Sequence, residues 1–244
     1  MRVDVIFLPQ ELETRSLDQA VAVIIDVLRA SSTIVTAIAN GCEELIPTQT
    51  VEEAVEIARS YGRGDFLLGG ERKGNKIEGF DLGNSPAEYV PDRVKGKKII
   101  FTTTNGTAAI KAARGASAIL IGSFLNLEAV AHYALGLGRD IVFVCAGDGR
   151  RFALEDAACA GMMCDRVCRV GDNVVESDSC IAARKIYEGF RGKVADALAM
   201  SEHGRYLEGI GLGADLGLCA QTNVLNVVPC MSEGHIVRRA LQGS

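Results

Sequence analysis

The clearest pattern in the chain is a run of six apolar residues, Ala20–Ile25, followed by a polar segment and a second apolar segment that ends at Gly41. A run rich in Val and Ile is typical of a strand that is buried on both faces. The polar segment carries Asp26 and Arg29, and Ser31–Thr33 then offers N-cap residues for a helix. The pattern predicts a strand, a charged turn and a helix. In open α/β sheets, ligands bind at turns of this kind.

A similar order of elements occurs again further along the chain. A strand is predicted over Lys97–Phe101, followed by the hydroxyl-rich turn Thr102–Thr107 and a helix. Both blocks continue with a short strand and a further helix, and their nearly constant spacing indicates a duplicated βαβα unit. A third strand, Asp140–Cys145, leads into a polar turn and a helix with Glu155 and Asp156 in its first turn, where acidic residues suit the helix dipole.

Two regions depart from this alternation. The segment Gly69–Pro86 holds five glycines and reads as a long loop, and loops of this length inside a compact domain are usually functional. It runs into Ser85–Glu88, which has the pattern of a capping box with proline at the first helical position. From about residue 171 the chain is predicted to be mainly helical, with a closing strand over Val224–Val228.

These elements predict an α/β protein with three layers, in which helices cover both faces of a largely parallel or mixed sheet. With 244 residues, the chain fits a single domain over residues 1–244. Two lobes that share a cleft are the alternative, the second lobe being the more helical part from about residue 171.

Composition narrows the classes of partner. The net charge of −5 argues against a nucleic-acid-binding protein, which needs a basic surface. The amino-terminal segment contains Asp4 and Pro9 and makes a poor signal peptide. No apolar run approaches the roughly 20 residues that span a bilayer. We therefore expect a cytoplasmic protein with no membrane partner, whose eight cysteines are reduced and buried. The sequence leaves a homo-oligomer open.

The strand ends and the Gly69–Pro86 loop supply the candidate chemistry. Their carboxylates, in a region without histidine, offer the oxygen ligands that a hard cation such as Mg²⁺ prefers. Their arginines and lysines, with the helix N-termini, suit phosphate. The mixture indicates magnesium-assisted phosphoryl chemistry. Taken one at a time, the carboxylates also fit ordinary ion pairs and helix-dipole contacts. His132 and His203 are predicted to be surface or packing residues.

A different mechanism is open at the third strand end. Cys145 and Arg151 are spaced as C-x5-R between a strand and a helix, which is the arrangement of cysteine-dependent phosphatases. In such enzymes the thiolate attacks phosphorus and the arginine grips the phosphate oxygens. Asp148 inside the loop would repel a phosphate dianion, so we rank this mechanism second.

Four segments together resemble the 2-phosphosulfolactate phosphatase family: VIIDVLRASSTI (Val23–Ile34), GGERKGNKIEGFDLGNSP (Gly69–Pro86), TTNGTAA (Thr103–Ala109) and CAGDGRRFALEDAACAG (Cys145–Gly161). They cover most of the first two-thirds of the chain, in the family's order. The resemblance implies a Mg²⁺-dependent hydrolase that removes phosphate from 2-phospho-3-sulfolactate, a step toward coenzyme M. It also implies a three-layer α/β arrangement particular to the family.

On this interpretation the substrate is a small anion that carries phosphate, sulfonate and carboxylate groups. We predict that Asp26, Glu155 and Asp156 are catalytic. The candidate ligands of Mg²⁺ are Asp26, Glu71, Asp81, Glu155 and Asp156. The candidate substrate-binding residues are Arg29, Arg72, Asn84, Ser85, Thr104, Asn105, Gly106 and Thr107. A protein that binds small anions without catalysis stays open as a further alternative.

Overall fold

The computed structural model describes residues 1–62 and 64–239, which form an 11-stranded sheet with helices on its faces. The strands are β1 (Arg2–Ile6), β2 (Ala20–Ile25), β3 (Glu44–Thr48), β4 (Phe66–Arg72), β5 (Asn75–Lys76), β6 (Lys98–Thr102), β7 (Ala118–Gly122), β8 (Asp140–Cys145), β9 (Val175–Glu176), β10 (Val228–Ser232) and β11 (His235–Arg239). The helices are α1 (Ala30–Ala39), α2 (Val51–Ala58), α3 (Pro91–Val94), α4 (Gly106–Ala112), α5 (Leu127–Gly136), α6 (Leu154–Val170), α7 (Asp178–Gly189), α8 (Val194–Met200), α9 (Glu202–Gly209) and α10 (Ala214–Cys219). Within these described residues, no helix has the length and apolarity to cross a membrane.

The sheet consists of two parallel sets of strands that run in opposite directions. One set contains β7, β2, β8, β1 and β9, and the other contains β3, β6 and β4. The β10–β11 hairpin lies between them, antiparallel to β7 on one side and to β3 on the other. The predicted α/β fold with a largely parallel or mixed sheet is confirmed.

Strand β2 lies inside the larger set, and its apolar run is buried on both faces as its sequence predicts. Val21, Val23 and Ile25 belong to one core cluster, which also contains side chains of α5 and α6. Ala22 and Ile24 belong to a second cluster, shared with α1 and α4. Because successive side chains of a strand point to opposite faces, this alternation places β2 between two helical layers.

The two βαβα blocks of the sequence are present as β2–α1–β3–α2 and β6–α4–β7–α5. The first strand of each block pairs in parallel with the second strand of the other, so that β2 pairs with β7 and β6 pairs with β3. This exchange interlocks the blocks. Duplication of the unit stays a prediction.

Helix α1 begins at least two residues earlier than its hydroxyl residues predict. Its N-cap residue is Arg29, and Ser31–Thr33 lie inside the helix. The prediction that these residues cap the helix is wrong because Asp26 does so from the strand end, accepting from the backbone N–H of Ala30 at 3.1 Å. Gly41 follows the end of the helix. Its φ of +89° lies in a region that favours glycine.

The Gly69–Pro86 segment is less loop-like than predicted. Strand β4 continues through its first four residues and turns back as β5. The prediction of a capping box at its end is also wrong. The Glu88 carboxylate accepts from the N–H of Gly83, and the Ser85 hydroxyl donates to Asp215. The mainly helical carboxyl-terminal part is confirmed by α7–α10, whereas the closing strand begins at Val228 and belongs to a hairpin.

Candidate active site

A narrow cavity of about 10 Å³ lies at the carboxyl end of β2. It is lined by Asp26, Leu28, Arg29, Glu71, Gly74, Asn84, Thr103, Asn105 and His203. Two wider hollows, of about 330 and 250 Å³, share His203 with it and extend along Asp148 and Arg151 toward Glu155. We call the three hollows together the cleft. It is built from both parallel sets, with α9 of the carboxyl-terminal part as a further wall.

Asp26 is buried where the N-termini of α1 and α4 meet. One carboxylate oxygen accepts from Ala30, and the other lies beside Gly106, where an added Cβ would be 2.8 Å away. Burial raises the pKa of Asp26 to about 7, and the neighbouring carboxylates of Glu71 and Glu155 add to the rise. The side chain therefore holds a proton far more tightly than an exposed aspartate.

Glu155 lies in the first turn of α6 and is also buried. Within the described chain, its Oε2 atom is buried and has no hydrogen-bond partner. Burial raises the pKa of Glu155 to about 7, with a smaller contribution from the charge of Asp148. An unpartnered carboxylate oxygen at the wall of a cleft is open to a cation, a water molecule or a proton.

Asp156 and Glu71 hold the turns of the site in place. Asp156 accepts from the backbone N–H groups of Val27 at 2.8 Å and Gly147 at 3.1 Å, joining the turns after β2 and β8. Glu71 accepts from Gly74 and from Thr104, each at 2.8 Å, joining the β4–β5 hairpin to the turn after β6. Backbone amides thus occupy both oxygens of each carboxylate.

Arg29 is held by a residue that the sequence analysis did not assign to the site. Its guanidinium donates to Asp215 at 2.7 Å and to the carbonyl of Gly74 at 2.6 Å, and both charged side chains are buried. The Ser85 hydroxyl donates to the other oxygen of Asp215 at 2.5 Å. Arg29 is therefore a partly neutralised cation that still lines the cavity.

The cleft contains two further basic residues, Lys73 and Arg151, with Thr104 and Asn105 between them. Arg151 is mostly exposed and pairs with Glu202 at 3.0 Å. Lys73 is fixed through its backbone, because its carbonyl accepts from the Tyr206 hydroxyl at 2.9 Å. These two cations stand at the outer part of the cleft, where a small anion would enter.

Several predicted site residues lie outside the cleft or use their polar groups elsewhere. Asp81 is exposed and accepts from the N–H of Leu68. The guanidinium of Arg72 donates to the Thr102 hydroxyl at 2.9 Å and to backbone carbonyls. Thr107 is buried in α4, where its hydroxyl donates to the carbonyl of Thr103. Asn84 does line the cavity, and among the described residues its buried Oδ1 atom has no partner.

His203 is the main residue that the sequence analysis assigned to packing and the structure places in the site. It lines all three hollows, and its Nδ1 lies 3.9 Å from Asp148. Burial lowers its pKa below the usual 6.5, so the imidazole is neutral at pH 7. Its position in sequence carries no signal for this role, because α9 reaches the cleft only through the tertiary fold.

The C-x5-R arrangement is not assembled as a phosphate loop. Cys145 is the last residue of β8, buried in the core cluster on the α6 side. Burial raises the pKa of its thiol well above the usual value, and the carboxylate of Asp156 adds to the rise. Arg151 is two-thirds exposed at the cleft. A thiol held protonated inside the core is a poor nucleophile.

The carboxylate and amide oxygens that line the cleft are ligands suited to a hard cation. The buried oxygens of Glu155 and Asn84 have no partner among the described residues, and Asp26 lies near enough to Glu155 for their charges to interact. In the part of the chain that the structure describes, no three acidic side chains of the cleft have oxygens all within 4.8 Å of one another. This fits Mg²⁺, which usually takes one or two carboxylates and completes its shell with water and substrate oxygens.

Gly106 allows α1 and α4 to approach each other at Asp26. A Cβ added there would lie 2.6 Å from the Cβ of Ala30 and 2.8 Å from Oδ2 of Asp26. We expect Gly106→Ala to lower the free energy of unfolding by about 1–3 kcal/mol, because the core is overpacked, and to displace the Asp26 carboxylate. Chemical denaturation measures the first effect. The matched control is Gly136→Ala in α5, where nothing in the described structure lies within 4 Å and stability should not fall.

The comparisons with known proteins agree with one another. The sequence model of the 2-phosphosulpholactate phosphatase family matches residues 6–234. A protein of Symbiobacterium thermophilum named probable 2-phosphosulfolactate phosphatase is 44% identical over 217 residues, which cover 89% of this chain and 93% of that protein. Proteins with the same name from Caldanaerobacter subterraneus and Clostridium acetobutylicum are 42% and 41% identical. The match to the Caldanaerobacter protein covers 93% of this chain and 93% of that protein. The match to the Clostridium protein covers 97% of this chain and 100% of that protein.

Proposed function

Because the chain belongs to the 2-phosphosulfolactate phosphatase family, we propose that it hydrolyses the phosphomonoester of 2-phospho-3-sulfolactate to 3-sulfolactate and phosphate with the help of Mg²⁺. The observation that carries the mechanism is the cluster of buried carboxylates, in which the second oxygen of Glu155 has no partner among the described residues. The names of the relatives support the substrate. The donor set of the cleft supports the cation.

Mg²⁺ bound in the cleft would neutralise phosphate charge and make the phosphorus atom more electrophilic. Glu155 is the residue best placed to hold it, and Asn84 offers a carbonyl oxygen. Glu71 and Asp156 support the site differently. Their oxygens are used by backbone amides, so they set the positions of the turns that carry Asp26, Thr104 and the start of α6.

The attacking water has to lose a proton, and the leaving oxygen has to gain one. With a pKa of about 7, Asp26 lies near the pH at which one group accepts and donates protons efficiently. We assign the proton from water to Asp26, which then returns it to solvent, and the leaving oxygen takes its proton from water in the open cleft. The neutral imidazole of His203, which lines every part of the cleft, can then donate an N–H to an oxygen of the substrate.

The substrate presents three anionic groups to a protein with a net charge of −5, so its recognition has to be local. Arg29 lines the inner cavity, while Lys73 and Arg151 line the outer hollow. We assign the phosphate to the mouth of the inner cavity, where Asn105 and His203 line both hollows and Arg29 lies beneath. The sulfonate and carboxylate then face Lys73 and Arg151, where Thr104 and Asn105 add polar contacts.

The test is a phosphate-release assay with a panel of small phosphorylated hydroxy acids, in which 2-phospho-3-sulfolactate is compared with 2-phospholactate. We expect turnover with Mg²⁺, loss of activity in a chelator and recovery when Mg²⁺ is restored. Faster hydrolysis of the sulfonated substrate supports the role of the outer basic residues. Tight binding of sulfolactate with no phosphate release under any condition would identify the protein as a non-catalytic anion binder and overturn the proposal.

The Cys145 thiol should be dispensable. We expect Cys145→Ala to keep kcat within about twofold of the wild type, because the thiol is protonated and buried in the core. Alanine avoids placing a new hydroxyl among apolar side chains. Steady-state phosphate release measures the effect. Complete loss of turnover in a folded Cys145→Ala variant, together with chelator-resistant activity of the wild type, would support the cysteine-nucleophile mechanism instead.

We propose a cytoplasmic location, which the free thiols support. All eight cysteines lie among the described residues and are unpaired, and seven of them are buried. Reduced cysteines are the usual state in a reducing compartment. A homo-oligomer stays a prediction, and sedimentation of the purified chain tests it.

A further inference from the structure

A second group of ligand-type side chains lies at the end of α6 that is remote from Glu155. Cys168 is in the last turn of that helix, Glu176 is in β9 and Cys180 is in the first turn of α7. Their two Sγ atoms and a carboxylate oxygen all lie within 4.8 Å of one another. In residues 1–62 and 64–239, this is the one group of three or more His, Cys, Asp or Glu side chains that meets so closely.

A third thiol adjoins the group. Cys164 precedes Cys168 by four residues, so both side chains lie on the same face of α6. Cys164 lies outside the group in which all ligand atoms are within 4.8 Å of one another, whereas the Cys180 thiol lies 3.8 Å from a Glu176 oxygen. Cys164 and Cys180 are buried, while Cys168 and Glu176 are half-buried. Two thiols and a carboxylate from three elements therefore converge at a point that solvent can reach, with a third thiol one helical turn away on α6.

Arg184 holds the carboxylate of Glu176 in place. One guanidinium nitrogen donates to both oxygens of Glu176, at 2.7 and 2.6 Å, and fixes the side chain in place. Carboxylates that bind metals are commonly held by such outer hydrogen bonds. The Nε atom of Arg184 is buried and, within the described part of the chain, has no acceptor. A neighbouring thiolate would supply one.

The charges also balance around a divalent cation. Two thiolates and one carboxylate around a doubly charged ion leave one negative charge, which the guanidinium of Arg184 compensates. Thiolate sulfur is a soft ligand that favours Zn²⁺ and disfavours Mg²⁺. Tetrahedral sites of three or four Cys, His or acidic ligands are typical for zinc. The group is therefore chemically unlike the oxygen-rich cleft.

We propose that Cys168, Cys180 and Glu176 form a binding site for Zn²⁺ or a similar thiophilic cation, with a water molecule as the fourth ligand. Binding replaces the protons of the coordinating thiols, which pass to the solvent, and no oxidation is involved. The bound ion would join the end of α6 to β9 and the start of α7. The site is independent of the proposed phosphatase activity.

The test uses the full chain, reduced and freed of metal, and titrates it with Cd²⁺ and Zn²⁺ in the presence of excess Mg²⁺. We expect one equivalent of Cd²⁺ to produce the ultraviolet thiolate-to-metal charge-transfer band, and Zn²⁺ to displace it. The thermal unfolding temperature should rise with the ion because binding stabilises the folded state. Affinity for Zn²⁺, measured against a chromophoric chelator, should weaken as pH falls, since protons compete for the thiolates.

Variants locate the site. Cys168→Ser and Cys180→Ser should each weaken Zn²⁺ binding by roughly tenfold or more. Loss of even an outer hydrogen bond to a metal ligand typically lowers metal affinity by about that much. The control is Cys42→Ser, whose thiol lies beside the carbonyls of Glu44 and Lys97 in another part of the fold and should leave binding unchanged. Cys168 is half-buried, so its variant is the safer one for folding.

Three results would overturn the proposal. One is the absence of a charge-transfer band at one equivalent of Cd²⁺. Another is unchanged affinity in the folded Cys168→Ser variant. The third is a thiol count two lower in protein purified without reductant, with Cys168 and Cys180 joined in a disulfide, which would identify the pair as a redox site. Phosphate release should be the same with and without Zn²⁺ at this site, so these outcomes are separate from those that test the phosphatase.

Discussion

Asp26→Asn should lower kcat for phosphate release by about a thousandfold while leaving the protein folded, since proton transfer by a positioned side chain contributes about 10² to 10⁴. Asparagine keeps an oxygen that accepts from Ala30, so α1 stays capped. It removes the carboxylate that would accept the proton from water and whose charge would attract the cation. Steady-state kinetics at saturating Mg²⁺ and substrate measure the loss.

The same substitution should raise stability above neutral pH. The folded protein raises the pKa of Asp26 from 3.8 to about 7, so the folded state binds this proton more tightly than the unfolded state. This carboxyl therefore lowers the stability of the wild type progressively as pH rises from about 4 through 7. Without it, the difference in unfolding temperature between Asp26→Asn and wild type should grow in favour of the variant between pH 5 and pH 8.

The control for both measurements is Asp81→Asn. Asp81 was predicted as a metal ligand, but it is exposed and accepts from Leu68 outside the cleft. Its variant should keep kcat within about twofold, in line with surface positions away from special features. If Asp26→Asn retains near-wild-type turnover, the assignment of Asp26 to the chemistry is wrong.

Arg29→Met should have the largest effect on stability. It leaves Asp215 buried and unpaired at the bottom of the cleft, and breaking a buried ion pair from one side costs about 3–5 kcal/mol. Binding of the substrate should weaken as well, because Arg29 is the innermost cation of the cavity. Urea denaturation and the KM for the phosphorylated substrate report the two effects separately.

A double variant distinguishes these two roles. Adding Asp215→Asn to Arg29→Met removes the unpaired charge, so part of the lost stability should return while substrate binding stays weak. The matched control is Arg166→Met, which breaks a half-exposed pair with Glu128 and should cost less than about 1 kcal/mol. If the double variant recovers full activity, Arg29 is a structural residue and does not bind the substrate.

The family resemblance carried by four segments is confirmed by the family match and by the relatives. The strands that lead into two of these segments were also predictable, because their patterns are local. The run Ala20–Ile25 is a buried strand, and Asp140–Cys145 pairs with it in parallel as its neighbour. Their turns meet through Asp156 and Val27, which brings Asp26 and Glu155 into one site as the sequence led us to expect.

The remaining parts of the site depend on contacts between residues that are far apart in sequence. Arg29 and Asp215 are separated by 186 positions, and nothing in the local pattern of either residue indicates the other. His203 is on a short helix of the carboxyl-terminal part and enters the cleft only because α9 folds back over it. The antiparallel hairpin that separates the two parallel sets could not be inferred from strand periodicity.

The sequence by itself determined the α/β class, the positions of the main strands and helices, and the polar residues that could take part in phosphoryl chemistry. The reason is that apolar periodicity and turn composition act over a few residues. Only the tertiary structure decided which hydrogen-bond partners each carboxylate has and how deeply it is buried. Both carboxylate oxygens of Glu71 and of Asp156 accept hydrogen bonds from backbone amides. Glu155, in contrast, has an oxygen without a partner among the described residues. Hydrogen-bond saturation and burial are set by atoms from distant segments, so identical side chains in similar turns acquire different chemistry.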